Sequence, residues 1–362
     1  MKIPINQKKW PAEDPKNIII RMPTWLGDLV MAIPVLEDVR KKWPEATITA
    51  MCQSNVAPLL KCDPNIDKIL TFEKPKGWIR RWHHFDIIST LRYGKYDLGI
   101  LLTSTFSSYW WFWQGKVANR IGFKGTYSSG LAFANWLLNK GIALPKNKES
   151  QHQIQTYKAL LEPLGIPVST ARPHLYLEES ERAVARQRLI SEGFDPDTQT
   201  IIGINPGAAY GSAKCWLPDR FRAVIEKLLK DPHVAIICFG DNKGASLLNE
   251  ICKGLGPRVV NYAGKTSIRE LMALLCECAV VLTNDSGPMH IAAALDVPLV
   301  ALFGSTNDIK TGPSPNGVVI NKHVECSPCY KRVCPIDFRC MTRIEVEEVY
   351  QAIINTIKKA RP

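Results

Sequence analysis

The chain has 362 residues, of which 46% are hydrophobic and 22% are charged, and a net charge of +12. This length suffices for two globular domains, and the composition is typical of a soluble globular protein. No apolar run reaches the roughly 20 residues that a membrane-spanning helix needs. The first ten residues, MKIPINQKKW, lack the apolar segment of a secretion signal, so we expect a cytoplasmic protein.

The excess of basic residues favours an anionic partner. These residues are scattered, with short clusters such as Lys8-Lys9, Arg80-Arg81 and Lys358-Lys359. None of the sequence signatures of DNA or RNA binding is present. We therefore expect an anionic small molecule or a lipid surface as partner, and no nucleic acid.

Short apolar strands alternate with amphipathic helices along the chain, which predicts an α/β fold with parallel sheets and crossover helices. In the first half, NIIIR (17–21) predicts a buried strand, and Asp28 to Val39 has the spacing of a helix. Further predicted elements of this half are strands at 46–52 and 96–104 and a helix at 153–164. A proline-rich linker is predicted at 165–174, followed by strands at 200–207, 233–241, 279–287 and 297–305.

The stretch SSYWWFWQG (107–115) has consecutive aromatic residues from Trp110 to Trp113, which cannot all face one core. One interpretation is the start of a helix with two buried rings. The alternative is a patch for a membrane surface or a lipid substrate, because tryptophan suits such interfaces.

Eleven cysteines in a chain without an export signal are expected to be reduced thiols. Seven of them lie in or near apolar segments and are predicted to be small core residues: Cys52, Cys62, Cys215, Cys238, Cys252, Cys276 and Cys278. The spacing of Cys326, Cys329, Cys334 and Cys340 is not that of a paired zinc knuckle. We favour unliganded thiols there over a structural metal. Asp195-Pro-Asp197 precedes a strand and is interpreted as a turn, so no metal site is predicted.

Ligands of open parallel sheets bind beyond the carboxyl ends of the strands, where polar loops of the second half gather. After strand 200–204, the loop NPGAAYGSAKCW has glycines that permit close backbone approach and Lys214 as a cation for phosphate. NDSGPMH begins a helix, whose N–H groups form an anion site. Asp241 is a candidate for a ribose hydroxyl, and Lys265 follows Gly264 in another loop of this edge. Together these loops predict a nucleotide diphosphate site.

Each loop also has a simpler interpretation. Asp285 and Ser286 are ordinary helix caps, and Asp28 is another. Lys214 is by itself a solvated lysine, and His290 a satisfied structural histidine. These alternatives stay open for each loop taken alone.

The first strand–helix turn, PTWLGD (23–28), has a single glycine, Gly27, and places Asp28 at the start of the helix. This turn lacks the G-x-G-x-x-G of a nucleotide-dependent oxidoreductase. A carboxylate repels phosphate, so we expect the diphosphate in the second half of the chain. The helix dipole keeps Asp28 ionised, which suits a general base that takes a proton from an alcohol. A non-catalytic nucleotide- or lipid-binding module would have no need of Asp28.

The chain resembles the ADP-heptose:lipopolysaccharide heptosyltransferase family, glycosyltransferase family 9. The matching segments occur in the family's order and span nearly the whole chain: 21–36, 204–221, 239–244, 261–275, 283–307 and 325–335. The PGAAYGSAKCW loop and the cysteine-bearing tail are most similar to members that add a heptose to the first heptose of the inner core. Members that add the first heptose, or use another acceptor, are the alternative.

The resemblance implies the GT-B fold, with two Rossmann-like domains facing each other across a cleft. The first domain, 1–174, would bind the acceptor and be joined by the final helix, 342–362. The second domain, 175–341, would bind the nucleotide sugar. The implied partners are ADP-heptose, a lipid A–Kdo–heptose acceptor and the cytoplasmic face of the inner membrane as a peripheral surface, and no cofactor is implied.

The resemblance also assigns roles to particular residues. It makes Asp28 the catalytic base and Lys214 the phosphate lysine, which together would drive transfer with inversion. The implied acceptor-binding residues are Thr24, Trp25, Gly27 and Ser104. The implied donor-binding residues are Gly207, Ala208, Lys214, Asp241, Gly264, Lys265, Asp285, Ser286, Gly287 and His290.

Overall fold

The structure, a computed structural model, describes residues 10–11, 13–73, 85–314 and 317–360. The chain divides into two compact units, the first ending at Ala171 and the second beginning at Arg172. This division falls inside the segment 165–174 that has the composition of a linker. The basic pairs Lys8-Lys9 and Arg80-Arg81 lie outside the described residues.

The first unit is built on a six-stranded parallel sheet with the order β3-β2-β1-β4-β5-β6. Its strands are β1 (Asn17–Arg21), β2 (Thr47–Gln53), β3 (Lys68–Phe72), β4 (Leu98–Leu101), β5 (Asn119–Phe123) and β6 (Lys140–Ile142). Its helices are α1 (Leu26–Ala32), α2 (Pro34–Lys42), α3 (Phe85–Gly94), α4 (Phe106–Gln114) and α5 (Gln153–Ala159), with 3₁₀ turns at Ala57–Leu60, Ala132–Leu137 and Glu162–Leu164.

The predicted helix from Asp28 to Val39 is in fact two helices, α1 and α2. Pro34 has no backbone N–H to donate, and its ring would clash with the preceding helical turn if the helix continued without a break. The backbone N–H of Ile33 donates instead to the carbonyl of Val30 at 3.2 Å, and Pro34 becomes the first residue of α2. The break leaves α1 as a short helix. Likewise, the predicted helix 153–164 ends at Ala159 and continues as the 3₁₀ turn Glu162–Leu164.

The second unit has its own six-stranded parallel sheet, with the order β12-β11-β10-β7-β8-β9. Its strands are β7 (Thr200–Asn205), β8 (Val234–Cys238), β9 (Val259–Asn261), β10 (Val280–Asn284), β11 (Leu299–Phe303) and β12 (Val318–Asn321). Its helices are α6 (Glu179–Ser191), α7 (Pro218–Leu228), α8 (Ala245–Cys252), α9 (Ile268–Cys276), α10 (Gly287–Ala294), α11 (Asp308–Thr311), α12 (Arg339–Thr342) and α13 (Val346–Ala360).

The two sheets have the same topology when the strands of each unit are counted from its own first strand. In each, the first strand lies between the second and the fourth, and the order reverses there. The inner strands are buried on both faces, which explains why β8 and β11 read as continuous apolar runs. Ligands bind at such a reversal point, beyond the carboxyl ends of the strands. The topology therefore indicates one binding region in each unit.

The cysteines predicted to be core residues divide by position. Cys52, Cys238 and Cys278 are buried, and Cys215, Cys252 and Cys276 are half-buried. The prediction is wrong for Cys62, which is exposed and has a left-handed backbone with φ of 68°. It lies in the turn that follows Ala57–Leu60, where the chain reverses at the surface.

A buried lysine organises the end of the first unit. Lys158 is 1% exposed, and its ammonium donates to the carbonyl oxygens of Ser169 and Ala171 at 3.0 and 2.6 Å and to the Ser169 hydroxyl. Asp38 on α2 lies 3.8 Å from the same ammonium. Burial lowers the pKa of Lys158, and Asp38 acts in the opposite direction. Three oxygens thus compensate a charge that is costly to bury alone.

The last helix, α13, packs against α7 and the strands β10, β11 and β12 within the second unit. Val349 and Ile353 carry this contact and are fully buried. The return of this helix to the first domain stays a prediction. Among the helices in the described ranges, none combines the length and apolar composition needed to cross a bilayer.

Candidate active site

In the first unit, the predicted acceptor and base residues lie at one edge of the sheet. β1 and β4 are adjacent and parallel, with Arg21 paired to Leu101, so the loops that follow them leave the sheet at the same edge. The loop after β1 leads through Thr24 into α1, and the loop after β4 contains Ser104. Thr24 is half-buried, whereas Ser104 is exposed. The topology therefore places both near the reversal point of the first sheet.

Asp28 is the third residue of α1 and is partly exposed. The interpretation of Asp28 as a helix cap is wrong, because Trp25 occupies the N-cap position and is 58% exposed. Gly27 lies between them and is half-buried. In the first turn, the carboxylate of Asp28 lies where the partial positive charge of the helix end stabilises an anion. This position explains how a carboxylate is accommodated at a turn that commonly receives phosphate.

Tyr157 on α5 is the neighbour of Asp28 that sequence reasoning missed. Its hydroxyl donates to Oδ1 of Asp28 at 3.4 Å, and the ring is buried. Burial and the negative charge of Asp28 raise the pKa of Tyr157 well above its usual value of 10, so the hydroxyl keeps its proton. The two residues are 129 positions apart in the chain, and no sequence pattern connects them.

Arg21, the last residue of β1, lies beneath the same turn. It is 4% exposed, donates to the carbonyl of Met22, and holds its guanidinium 4.5 Å from the centre of the Phe72 ring. Burial lowers its pKa to about 10. The side chain thus ties the start of the turn to the neighbouring strands, a role that the apolar strand pattern NIIIR does not reveal.

In the second unit, the structure joins two of the predicted donor residues directly. Nζ of Lys214 lies 2.5 Å from Oδ2 of Asp285, and the side chains are 15% and 4% exposed. The Thr306 hydroxyl donates to the same carboxylate oxygen at 2.6 Å. The interpretation of Lys214 as a solvated lysine is therefore wrong, and so is that of Asp285 as a simple helix cap.

Two asparagines lock the loops around this ion pair. Nδ2 of Asn205, at the end of β7, donates to the Ser286 hydroxyl at 3.0 Å and to the carbonyl of Gly207 at 3.3 Å. Asn284, at the end of β10, donates to the carbonyl of Pro206 at 2.6 Å and accepts from the backbone N–H of Trp216. Neither asparagine was predicted as a site residue from the sequence, although each is the first residue of a predicted loop segment.

Ser286 is the N-cap residue of α10, but its side chain makes no capping hydrogen bond to the helix. Its hydroxyl instead accepts a hydrogen bond from Nδ2 of Asn205 and forms another with the hydroxyl of Thr283. The first-turn N–H groups of Gly287 and Met289 are thus left uncapped by that side chain, as an anion site requires, whereas Pro288 between them has no N–H. His290 follows in the same turn and is buried.

The other predicted donor residues lie in loops of the same sheet. Gly207 and Ala208 are half-buried in the loop after β7. Asp241, after β8, is exposed and accepts the backbone N–H of Gly244 at 2.9 Å, so one of its oxygens serves as a cap. Gly264, after β9, has φ of +69° and lies so close to Asn242 that a Cβ would clash. Lys265 follows and is exposed.

The cysteine-bearing segment covers the Lys214 loop. The Tyr210 hydroxyl donates to the carbonyl of Tyr330 at 2.9 Å, and the backbone N–H of Ala213 donates to the carbonyl of Arg332. Burial, and then the neighbouring thiols Cys326, Cys334 and Cys329, raise the pKa of Cys340. Within the ranges the structure describes, no three His, Cys, Asp or Glu side chains are gathered so that they could hold a metal ion. Asp195 and Asp197 form a turn, as predicted.

Comparison with known proteins gives a consistent result. The family model described as glycosyltransferase family 9 (heptosyltransferase) matches residues 84–338. Lipooligosaccharide heptosyltransferase 2 of Haemophilus ducreyi is 30% identical over 322 residues, which are 85% of this chain and 89% of that protein. Relatives named heptosyltransferase 2 share 28–30% identity, and those named heptosyltransferase 3 share 26–27%.

Solved structures of the same architecture confirm the predicted GT-B fold class of two Rossmann-like domains. E. coli ADP-heptose lps heptosyltransferase II has a TM-score of 0.78 and 24% identity, covering 96% of this chain and 100% of that chain. The glycosyl transferase family 9 protein from Veillonella parvula has a TM-score of 0.82 and 23% identity, covering 98% and 99%.

Proposed function

The chain belongs to glycosyltransferase family 9, and from that premise we propose that it transfers L-glycero-D-manno-heptose from ADP-heptose to the first heptose of the lipopolysaccharide inner core. The chain is a glycosyltransferase. The acceptor assignment is supported by the relatives named heptosyltransferase 2, whose identity exceeds that of the relatives named heptosyltransferase 3.

The observation that carries the mechanism is the position of Asp28 in the first turn of α1. An ionised carboxylate there is a suitable general base for the acceptor hydroxyl, which attacks the anomeric carbon as its proton moves to Asp28. Tyr157 donates to one carboxylate oxygen and so fixes the orientation of the group. A single displacement of this kind inverts the anomeric centre. Thr24, Trp25, Gly27 and Ser104 are proposed to bind the acceptor around it.

The leaving ADP is assigned to the second unit. Negative charge grows on the diphosphate as the glycosidic bond breaks, and Lys214 with the N–H groups at the start of α10 can stabilise it. Lys214 is held by Asp285, but an ammonium has three N–H donors, and this contact uses one of them. Asp285 is therefore assigned the role of aiming Lys214. Gly207, Ala208, Asp241, Gly264, Lys265, Ser286, Gly287 and His290 are proposed to line the rest of the donor site.

The acceptor is anchored in a membrane, so we also propose that the protein works as a peripheral protein on the cytoplasmic face of the inner membrane. The net charge of +12 favours association with anionic lipid. No cofactor and no catalytic metal enter the proposed reaction.

The test is a transfer assay with purified protein, ADP-heptose and three lipid-linked cores that carry no heptose, one heptose or two heptoses. We expect mass spectrometry to find one added heptose on the one-heptose core. Addition to the heptose-free core instead would assign the chain to the enzymes that add the first heptose. If the protein binds the donor but neither transfers heptose to any of the cores nor hydrolyses the donor, the result would favour a non-catalytic binding module.

A further inference from the structure

The first unit carries a continuous row of aromatic rings on its surface. Phe133 stacks on Phe106 at 5.6 Å between ring centres, and Phe106 stacks on Trp110 at 5.9 Å. Trp110 lies 5.2 Å from Trp113, which meets Trp136 edge-on at 5.3 Å. We call these five residues the aromatic ladder.

The ladder resolves the question raised by the SSYWWFWQG stretch. One face of α4 buries Tyr109, Trp111 and Phe112 in the core of the first unit. Phe106, Trp110 and Trp113 share an adjoining stripe of the helix, as the helical spacing dictates. Phe106 and Trp110 are half-buried at the border of that core, and Trp113 is exposed. The 3₁₀ turn Ala132–Leu137 then adds Phe133 and Trp136, which no sequence pattern connects with this stretch.

Three of the five rings in the ladder are exposed to an extent that the core does not require. Phe133 is 63% exposed and Trp136 60% exposed, and Trp113 is 36% exposed. A contiguous exposed apolar patch of this kind marks an interaction site. The sequence alone, which shows only that aromatic residues are adjacent, could not establish that rings from two elements join.

The charge of the surrounding segment is strongly positive. Between residues 85 and 140 the sequence has six lysines and arginines and two acidic residues. Lys116, just past the end of α4, and Lys140, at the start of β6, are exposed. Arg92 lies against the end of α4, where it donates to the carbonyl of Gln114 at 2.9 Å. An anionic surface would therefore be attracted to this side of the unit.

The geometry favours a bilayer over a sugar as the occupant. A sugar stacks on an open ring face, but Phe106 is stacked with both Phe133 and Trp110, and Trp110 also contacts the tilted ring of Trp113. A lipid interface instead accepts ring edges and indole N–H groups at the level of the headgroups. Exposed tryptophan next to lysine and arginine is the combination that anionic headgroups bind.

We propose that the aromatic ladder, with Arg92, Lys116 and Lys140, is the surface that docks on an anionic lipid bilayer. This inference rests on the proposed function, because it identifies how the enzyme reaches a membrane-anchored acceptor. α4 begins two residues after Ser104, at the edge of the sheet that carries Asp28. The docking surface therefore starts beside the loop assigned to the acceptor.

The test measures binding of the full chain to sedimented vesicles of phosphatidylcholine alone and of phosphatidylcholine with phosphatidylglycerol at about 30%. The triple variant Trp113→Ala/Phe133→Ala/Trp136→Ala should bind the anionic vesicles at least about tenfold more weakly. The variant Lys116→Gln/Lys140→Gln should lose affinity for the anionic vesicles and keep the weak affinity for neutral ones. The matched control is Ile309→Ala/Ile336→Ala, because both isoleucines are 59% exposed in the second unit.

Transfer to a deacylated, water-soluble core keeps the docking inference separate from the proposed function. The triple variant should retain wild-type transfer to this core and lose transfer to the core embedded in anionic vesicles. Equal vesicle binding by wild type and triple variant, or no vesicle binding by the wild type, would overturn the inference. Loss of transfer to the soluble core in a variant that is still folded would also overturn it, and would make the ladder part of the acceptor sugar site. Loss of vesicle binding in the variant, with no transferase activity in the wild type, would uphold the surface and refute the function.

Discussion

The turn after β1 and the paired loops after β7 and β10 occupy equivalent places in two sheets of the same strand order. The first holds a carboxylate, Asp28, supported by a buried tyrosine. The second holds a cation, Lys214, fixed by a nearly buried carboxylate. Because the topology is shared, the difference between the proposed base site and the proposed phosphate site comes from a few residues in the loops.

The supporting contacts differ in kind as well as in charge. In the first unit, the neutral hydroxyl of Tyr157, whose pKa is raised, donates to the partly exposed carboxylate of Asp28. In the second unit, an ion pair lies with little exposure among hydroxyl and amide groups. We infer that the first arrangement leaves its carboxylate available to take up a proton, whereas the second holds its cation in place. The following variants test each side of this contrast.

Asp28→Asn should have the largest effect on the reaction. The amide preserves the size of the side chain but cannot accept the acceptor proton, so kcat should fall about 100- to 10,000-fold. ADP binding, measured by calorimetry, should be unchanged, since Asp28 belongs to the other unit. Wild-type turnover in this variant would remove Asp28 from the mechanism.

We expect the second-largest effect from the Lys214–Asp285 ion pair of the second unit, which is best tested with a double-mutant cycle. Lys214→Ala or Asp285→Ala alone leaves a charge with little exposure and without its oppositely charged partner, which should cost about 3 kcal/mol of unfolding free energy. The double variant should lose less than the sum, with a coupling of about 2 kcal/mol by urea denaturation. Additive losses would show that the contact is energetically unimportant. Lys214→Ala should also weaken ADP binding.

Gly211→Ala tests how the cysteine-bearing segment supports the second site. A Cβ at Gly211 would lie 2.3 Å from the carbonyl oxygen of Arg332, so the backbone of one segment must move. We expect a loss of about 1–3 kcal/mol in unfolding free energy and a higher KM for the donor. Gly207→Ala is the control for the stability measurement alone, because its methyl group would meet no atom within 4 Å beyond the adjacent residues of the chain. Its KM is not compared, since Gly207 is itself assigned to the donor site, and an equal loss of unfolding free energy in the two variants would contradict this packing.

Tyr157→Phe should have the smallest effect, on the first site only. The hydrogen bond to Asp28 is long, at 3.4 Å, so its loss should lower kcat by no more than about tenfold. The pH profile of kcat should move, since Asp28 loses a donor. A change in stability without any change in that profile would mean that Tyr157 serves only to fill the core.

Sequence reasoning could propose both candidate sites because each rests on a local pattern. Strand β1, the turn to Asp28 and the loops around Lys214 and Asp285 are contiguous segments with a strand before and a helix after. The partners of these residues were not predictable in the same way. Tyr157 reaches Asp28 only through the packing of α5 on α1, and the Lys214–Asp285 pair forms only because β7 and β10 are neighbours. Cys62 shows the converse error, in which an apolar context did not ensure burial.

The hydrogen bonds of the Lys158 ammonium also determine where the chain can be truncated without destabilising the first unit. Its oxygen partners Ser169 and Ala171 lie within the last three residues of that unit. A fragment that stopped before Ser169 would remove those acceptors and leave an interior charge next to Asp38 without them, at a cost comparable to the whole stability of a small domain. An autonomous amino-terminal half should therefore extend at least to Ala171, even though the final helical turn of that half ends at Leu164.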